Sequence, residues 1–271
     1  MKKFILLLIL IQFQTIVSGQ LNCELLKDDS DCYKACQLYN QESRHRQGSF
    51  ASQKHLSDAI ELCPTLSSAY YEKSVAFLKR GKFIQWKKLM DKAVELNPEQ
   101  HLSDRAWAQY AFLHNYEETI KDLNRLSEIK GTEFIGVGQN GDYDLRMVLA
   151  LSYKLTSQKK KAIEIIETAM ADKDYYVGLY DNLHLGILYL ENNQLEKAVE
   201  SFENQIKENE LAEVYYYLGK TYLALKNKTE ATLNLNKALE LYKSNRKMFS
   251  RYYQFTDQIY EQDILDLQKK I

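Results

Sequence analysis

Charge of one sign is missing from this chain: 36 basic side chains stand against 37 acidic ones over 271 residues. A surface for polyanions needs a basic surplus that displaces counterions, so nucleic acid is not expected as the main partner. Long apolar runs are also scarce. The run at residues 4–13 is well short of the roughly twenty residues that a bilayer-spanning helix requires, and none of the later ones is long enough either. Catalytic signatures are absent too. The five histidines, His45, His55, His101, His114 and His184, form no H-E-x-x-H, and none stands near a cysteine at metal-ligand spacing. No serine sits in a G-x-S-x-G elbow. Paired acids such as Glu117 with Glu118 fall on polar helix faces, where they are solvated. The expectation is a protein that is not an enzyme, with no cofactor and no metal.

What the chain does contain is agreement with itself. Superposing Pro64 on Pro98 sets Ala59 over Ala93, Cys36 over Tyr70 and Ser43 over Phe77, an offset in the thirties that marks stacked helical hairpins. The clearest unit is Leu185-Gly186-Ile187-Leu188-Tyr189, followed by Asn193, Ala198 and Phe202. Leu218-Gly219-Lys220-Thr221-Tyr222 with Ala231, Leu235 and Ala238 repeats it, and Leu149-Ala150-Leu151-Ser152-Tyr153 with Ala162, Ile166 and Ala169 anticipates it. The small residue lets two helices approach closely. The aromatic fills the gap between neighbouring hairpins, and apolar residues three and four apart face the stack. Trp86 stands where the other repeats have Ala162, Ala198 and Ala231, so its ring is expected to splay its hairpin or remain partly exposed.

This pattern resembles the tetratricopeptide repeat, and the resemblance covers residues 33–243, with repeats starting near Tyr33, Ser67, His101, Tyr143, Leu179 and Ala212. It implies an all-α fold, a right-handed superhelix of about six helical hairpins closed by C-terminal capping helices over residues 244–271. It also implies that the first helix of each hairpin lines an inner groove. Read onto this chain, the groove positions are Asp144 and Met147 in repeat four, Tyr180, Leu183, His184 and Ile187 in repeat five, and Glu213, Tyr216, Tyr217 and Lys220 in repeat six. An apolar, tyrosine-rich lining suits an extended segment of another protein, because such rings give large contact area at low entropy cost.

A glycine-rich insertion at residues 131–142 interrupts the repeats. It contains Gly136-Val137-Gly138-Gln139-Asn140-Gly141, the spelling of a dinucleotide-binding turn but without the strand-to-helix context that makes one work. It is expected to be a shaped loop between two blocks of three repeats, with Asp142 capping the next helix. Gln139, Asn140, Asp142 and Asp144 offer oxygens to calcium, but not at the spacing of a calcium-binding loop. The lysines Lys154, Lys159, Lys160 and Lys161 are read as a solvated face.

The start of the chain, Met1-Lys2-Lys3, an apolar run and Val17-Ser18-Gly19, reads as a secretory signal over residues 1–19, cut before Gln20. A periplasmic or secreted location follows, with no membrane span after cleavage. Four cysteines in an exported chain suggest bonds more than metal. Cys36 and Cys63 lie at the meeting ends of one hairpin and are expected to pair, leaving Cys23 of an N-terminal arm (residues 20–32) for Cys32. The alternative is free buried thiols. In function, a protein-protein interaction scaffold in the cell envelope or extracellular space is expected. The rival is a carbohydrate-binding protein stacking sugars on exposed Trp86 and Trp107.

Overall fold

A computed structural model describes residues 20–131, 136–138 and 141–271. The expected signal, residues 1–19, and Gln139 and Asn140 lie outside the described residues. The chain divides into two compact units, Met1–Leu96 and Asn97–Ile271. Both are built of antiparallel helix pairs. Among the described residues there is no strand, only an isolated bridge between Val137 and Asp144.

In the first unit a 3-10 turn (Cys23–Leu26) leads into α1 (Ser30–Glu42) and α2 (Phe50–Leu62), then α3 (Ser67–Lys79) and α4 (Phe83–Leu96). Side-chain caps start the first two helices: Asp29 accepts from the amides of Asp31 and Cys32, and Ser49 from that of Ser52, satisfying amides that a helix start leaves without partners. The cysteines pair as Cys23 with Cys36 and Cys32 with Cys63, which corrects the expected Cys36–Cys63 and Cys23–Cys32. The reason is one helical turn. Cys63 caps α2 level with the first turn of α1, 4.8 Å from Cys32 between Cα atoms, while the arm folds back far enough to bring Cys23 within 5.5 Å of Cys36. Trp86 also departs from expectation, being only 1% exposed. The facing helix α3 buries the small residues Ser74 and Ala76, which leaves volume for an indole.

The second unit holds four more pairs: α5 (Pro98–Ala108) with α6 (Tyr116–Lys130), α7 (Leu145–Leu155) with α8 (Lys159–Met170), α9 (Asp181–Glu191) with α10 (Leu195–Glu208), and α11 (Ala212–Ala224) with α12 (Lys228–Lys243). A π-helical turn, Gln109–Leu113, ends α5. The small repeat positions behave as expected. A Cβ on Gly186 would come 2.5 Å from the Phe202 ring, and one on Gly219 2.7 Å from Leu235, so each hairpin closes to a distance only glycine permits. Gly138 packs tightly on α5, because a Cβ there would lie 2.8 Å from the Trp107 indole. Asp144, not Asp142, caps α7, its carboxylate accepting from the Arg146 amide.

All six turns within hairpins contain one left-handed residue: Gly48, Gly81, His114, Ser157, Asn193 and Lys226. In four of them the following amide bonds back to the carbonyl of the repeat's aromatic residue, Lys82 to Phe77, Gln158 to Tyr153, Gln194 to Tyr189 and Asn227 to Tyr222. This is the Schellman closure, for which glycine is the favoured residue. Lys226 therefore carries a backbone penalty that a side chain with a Cβ cannot avoid. Lys226→Gly is expected to raise stability by about 0.5–1 kcal/mol after the extra unfolded-chain entropy is subtracted, measured by urea unfolding; a loss of stability would show that the turn is not strained.

Residues 244–260 were expected to be helical, and they are not. Asn245 takes a left-handed angle that ends α12, and the Ala212 amide then captures the Arg246 carbonyl at 2.9 Å, diverting the chain onto the start of α11. It runs on irregularly to one short helix, α13 (Glu261–Gln268), which packs on α12 through buried Ile264. The result is a strap with a helix at each end, both helices resting on each other.

Candidate protein-binding groove and its resident segment

The first helices of the second unit, α5, α7, α9 and α11, touch one another in succession, and the strap lies along the side chains they present. Its residues alternate. Phe255 and Ile259 are 5% and 2% exposed, whereas Tyr252 and Tyr260 are 74% and 52% exposed; Tyr253 and Asp257 face inward with the first pair. The inward positions are therefore 253, 255, 257 and 259, on a backbone that is irregular between them: Thr256 and Asp257 form a turn, with Asp257 at a φ of 69° and the Gln258 amide bonded back to the Phe255 carbonyl at 3.4 Å.

Each inward side chain has its own seat. The Tyr253 ring meets the edges of Trp107 and Phe112, with centroids 5.5 and 6.3 Å away, and its hydroxyl donates to Asp142 at 2.7 Å. Phe255 stands edge-on to Tyr180 at 5.0 Å and to Tyr143 at 6.2 Å. The Asp257 carboxylate takes the Lys154 ammonium on one oxygen and the His184 Nδ1 on the other at 2.8 Å. Behind it, Tyr143 and the His184 Nε2 are 2.9 Å apart, extending the chain of polar groups inward. The Tyr217 hydroxyl donates to the Asp257 carbonyl at 3.3 Å. Ile259 joins the apolar cluster of Ala212, Leu235, Ala238, Leu241 and Ile264. Between the seats, the Thr256 and Tyr110 hydroxyls lie 2.7 Å apart.

The electrostatics follow from burial. Burial by itself works to raise the Asp257 pKa, but the Lys154 charge and the His184 hydrogen bond outweigh it and hold the carboxyl at about 2. At Glu213 the nearby Lys247 charge is a weaker pull than burial. Burial pushes its carboxyl upward, against the pull of backbone amides including that of Met248, 3.1 Å away. Burial likewise pushes the Tyr180 phenol up to about 12 and the Tyr110, Tyr143 and Tyr217 phenols above their ordinary value, so these hydroxyls are neutral hydrogen-bonding groups across the physiological range.

The ten expected groove residues divide into three sets. Met147, Leu183 and Ile187 are buried in the hairpin stack. Asp144 is buried as well, gripped by the Arg146 guanidinium at 2.8 and 3.0 Å, so its oxygens are committed. Tyr180, His184, Glu213 and Tyr217 do meet a non-helical segment, and that segment is the chain's own strap. Tyr216 is half-buried, and Lys220 is exposed with its ammonium 5.6 and 5.3 Å from the Tyr216 and Tyr217 rings. Six contributors were missed: Trp107, Tyr110, Phe112, Asp142, Tyr143 and Lys154. Lys154 was grouped with its neighbours as solvated; it is buried, salt-bridged to Asp257 and 3.7 Å from Glu191. The available signal was the strap's own alternation, Tyr253, Phe255, Asp257, Ile259.

Trp107, like Trp86, is 1% exposed, so neither indole offers a stacking platform for a sugar.

The tetratricopeptide repeat sequence profile matches residues 67–100, 182–210 and 212–245. No curated protein matches the chain in sequence. Among solved structures it resembles PilW, described as a widely conserved type IV pilus biogenesis factor, at 12% identity and TM-score 0.60 over 86% of this chain and 98% of that one. It resembles PilF of Pseudomonas aeruginosa at 14% and 0.57 over 82% and 95%. MamA of Desulfovibrio magneticus RS-1, from residue 41 on, aligns at 18% and 0.55 over 66% and 96%. At these identities the likeness is one of fold. With three matched repeats, six helical hairpins and small residues at the close helix contacts, this chain belongs to the tetratricopeptide repeat family.

Proposed function

We propose that the protein is an exported, non-catalytic scaffold that binds an extended segment of another protein along α5, α7, α9 and α11. Tetratricopeptide repeats are protein-binding modules, which supports the scaffold role. The observation that carries the groove is that a non-helical segment of the chain already lies there, with Tyr253, Phe255, Asp257 and Ile259 turned into the face. Export is supported by two disulfides, which persist in oxidising compartments. A non-catalytic role is supported by a cleft of about 860 Å³ beside α7 and α8, where Arg146 is paired with Asp144 and Asp172 and Lys161 lies over the Tyr153 ring.

The test is capture of proteins by the disulfide-bonded chain in an envelope fraction of its native source, followed by reconstitution with the purified candidate. Saturable one-to-one binding of that candidate in calorimetry is the expected result. Retention of no protein beyond that held by the reduced, unfolded chain would remove the scaffold reading.

A further inference from the structure

The strap does more than cover apolar surface. An apolar residue at position 257 would have closed the face without burying a carboxylate, and burying a charge costs several kcal/mol unless it is well paired. The repeats supply that pairing from below: Lys154 ends α7, His184 sits on α9, and Tyr143 braces the far side of the imidazole. The seat belongs to the hairpins, and the strap only occupies it. The same holds for the rings, since Trp107 and Phe112 form one aromatic seat and Tyr143 and Tyr180 the next.

Between its ends the strap is held by the Arg246 carbonyl to Ala212, the Met248 amide to Glu213, the Asp257 carbonyl to Tyr217, the Tyr253 hydroxyl to Asp142, Thr256 to Tyr110 and the Asp257 carboxylate to Lys154 and His184. The helix pairs are closed by their own contacts, and α13 is held on α12 by Ile264 and by the Ile271 carbonyl accepting from the Lys228 ammonium at 3.0 Å. Lifting of the segment between would leave the Ile264 and Lys228 contacts of α13 with α12 in place. When it lifts, His184 loses its anion and Lys154 keeps only Glu191, 3.7 Å away, so a segment that replaces the strap restores the lost pairing with a carboxylate.

We propose that this face reads a partner protein's segment that follows the strap's path, its turn included, through four seats in the order aromatic, aromatic, carboxylate, branched aliphatic, and that Tyr253, Phe255, Asp257 and Ile259 hold those seats until such a segment replaces them. This rests on the scaffold reading above and gives the partner's chemistry. The first seat favours tyrosine, because Asp142 accepts its hydroxyl. The third demands Asp or Glu. Positions matching the exposed Tyr252, Gln254 and Tyr260 are free to vary, whereas Thr256 meets Tyr110.

The probe is a fluorescein-labelled synthetic peptide with the sequence of residues 250–260, titrated by anisotropy into the full disulfide-bonded chain. Binding to a Phe255→Ala/Asp257→Ala chain is expected to be at least about tenfold tighter than to the unsubstituted chain, and changing the peptide's aspartate to asparagine is expected to weaken it about tenfold or more, the range for a charge-assisted hydrogen bond. No binding to a variant whose circular dichroism remains helical would overturn the proposal, as would equal binding of the asparagine peptide. In case the double variant does not fold, hydrogen exchange of the unsubstituted chain gives a second reading: millimolar peptide is expected to speed exchange at residues 248–260, and unchanged exchange there overturns it. Concentration-dependent dimers of the variant that exchange straps would assign the seats to a second copy instead and also overturn it. The two readings fail separately. A captured partner that the peptide does not displace leaves the scaffold standing and removes the four seats.

Discussion

Lys154→Met will destabilise the second unit by roughly 3–5 kcal/mol, the cost of removing one partner from a buried ion pair, and will lower the thermal midpoint by about 10 °C. The substitution preserves the side chain's length and apolar stem and deletes only the charge that faces Asp257. What remains is a carboxylate under the strap with His184 as its nearest donor. The pH response identifies the cause. Asp257 titrates at about 2 in the folded chain against an ordinary 3.8, so the stability it supplies is complete above pH about 4 and is lost as pH falls through about 2, amounting to about 2 kcal/mol. Without Lys154 the folded-state pKa rises, and the acid limb of the stability curve moves to higher pH. Thermal melts from pH 2 to pH 7 check both statements. An acid limb unchanged in the variant would mean that Lys154 does not hold the carboxylate down.

The second large effect lies in the first unit. Cys32→Ser with Cys63→Ser opens a loop whose ends are 31 residues apart, for which the chain-entropy relation gives roughly 3–4 kcal/mol. Losing Cys23–Cys36, 13 residues apart, costs about 3 kcal/mol by the same relation. The bonds share a helix, since Cys32 and Cys36 both belong to α1. Hydrogen exchange is expected to show α1 and α2 losing protection first in the Cys32/Cys63 variant, while α9 to α12 keep theirs. Uniform loss across all helices would mean that the bond acts on the chain as a whole and not on its hairpin.

Much of this architecture was legible because repeats write the same contact several times. Gly186 and Gly219 announce a close helix approach, and the structure places Phe202 and Leu235 against them. Other features escaped because one residue decides them. The helix register that sets Cys32, and not Cys36, level with Cys63 is a single turn, finer than hairpin geometry read from sequence can resolve. Lys154 looked like one more member of a basic cluster, and only the returning strap makes it different from Lys159 or Lys160. The strap itself was read with the period of a helix because the helices before it set that expectation. Its two-residue alternation was present all along at residues 253–259, yet alternation over so few positions gains meaning only when a face is there to receive it. The groove assignments from family position found the right helices but not the depth: Met147, Leu183 and Ile187 point into the stack, whereas Tyr143 and Trp107, outside the assigned set, form the aromatic seats.

The strap's anchorage at both ends has a quantitative consequence. A segment held between α12 and α13 is never diluted, and for short tethers the local concentration of such a competitor is in the millimolar range. Any incoming chain must outbid that standing rival, so a threshold is set in the covalent connectivity itself. Tyrosine-bearing stretches that stick weakly, including those of unfolded chains, fall below it, and only a segment satisfying several positions together rises above. Cutting the backbone within the strap would lower the threshold without altering one side chain of the face.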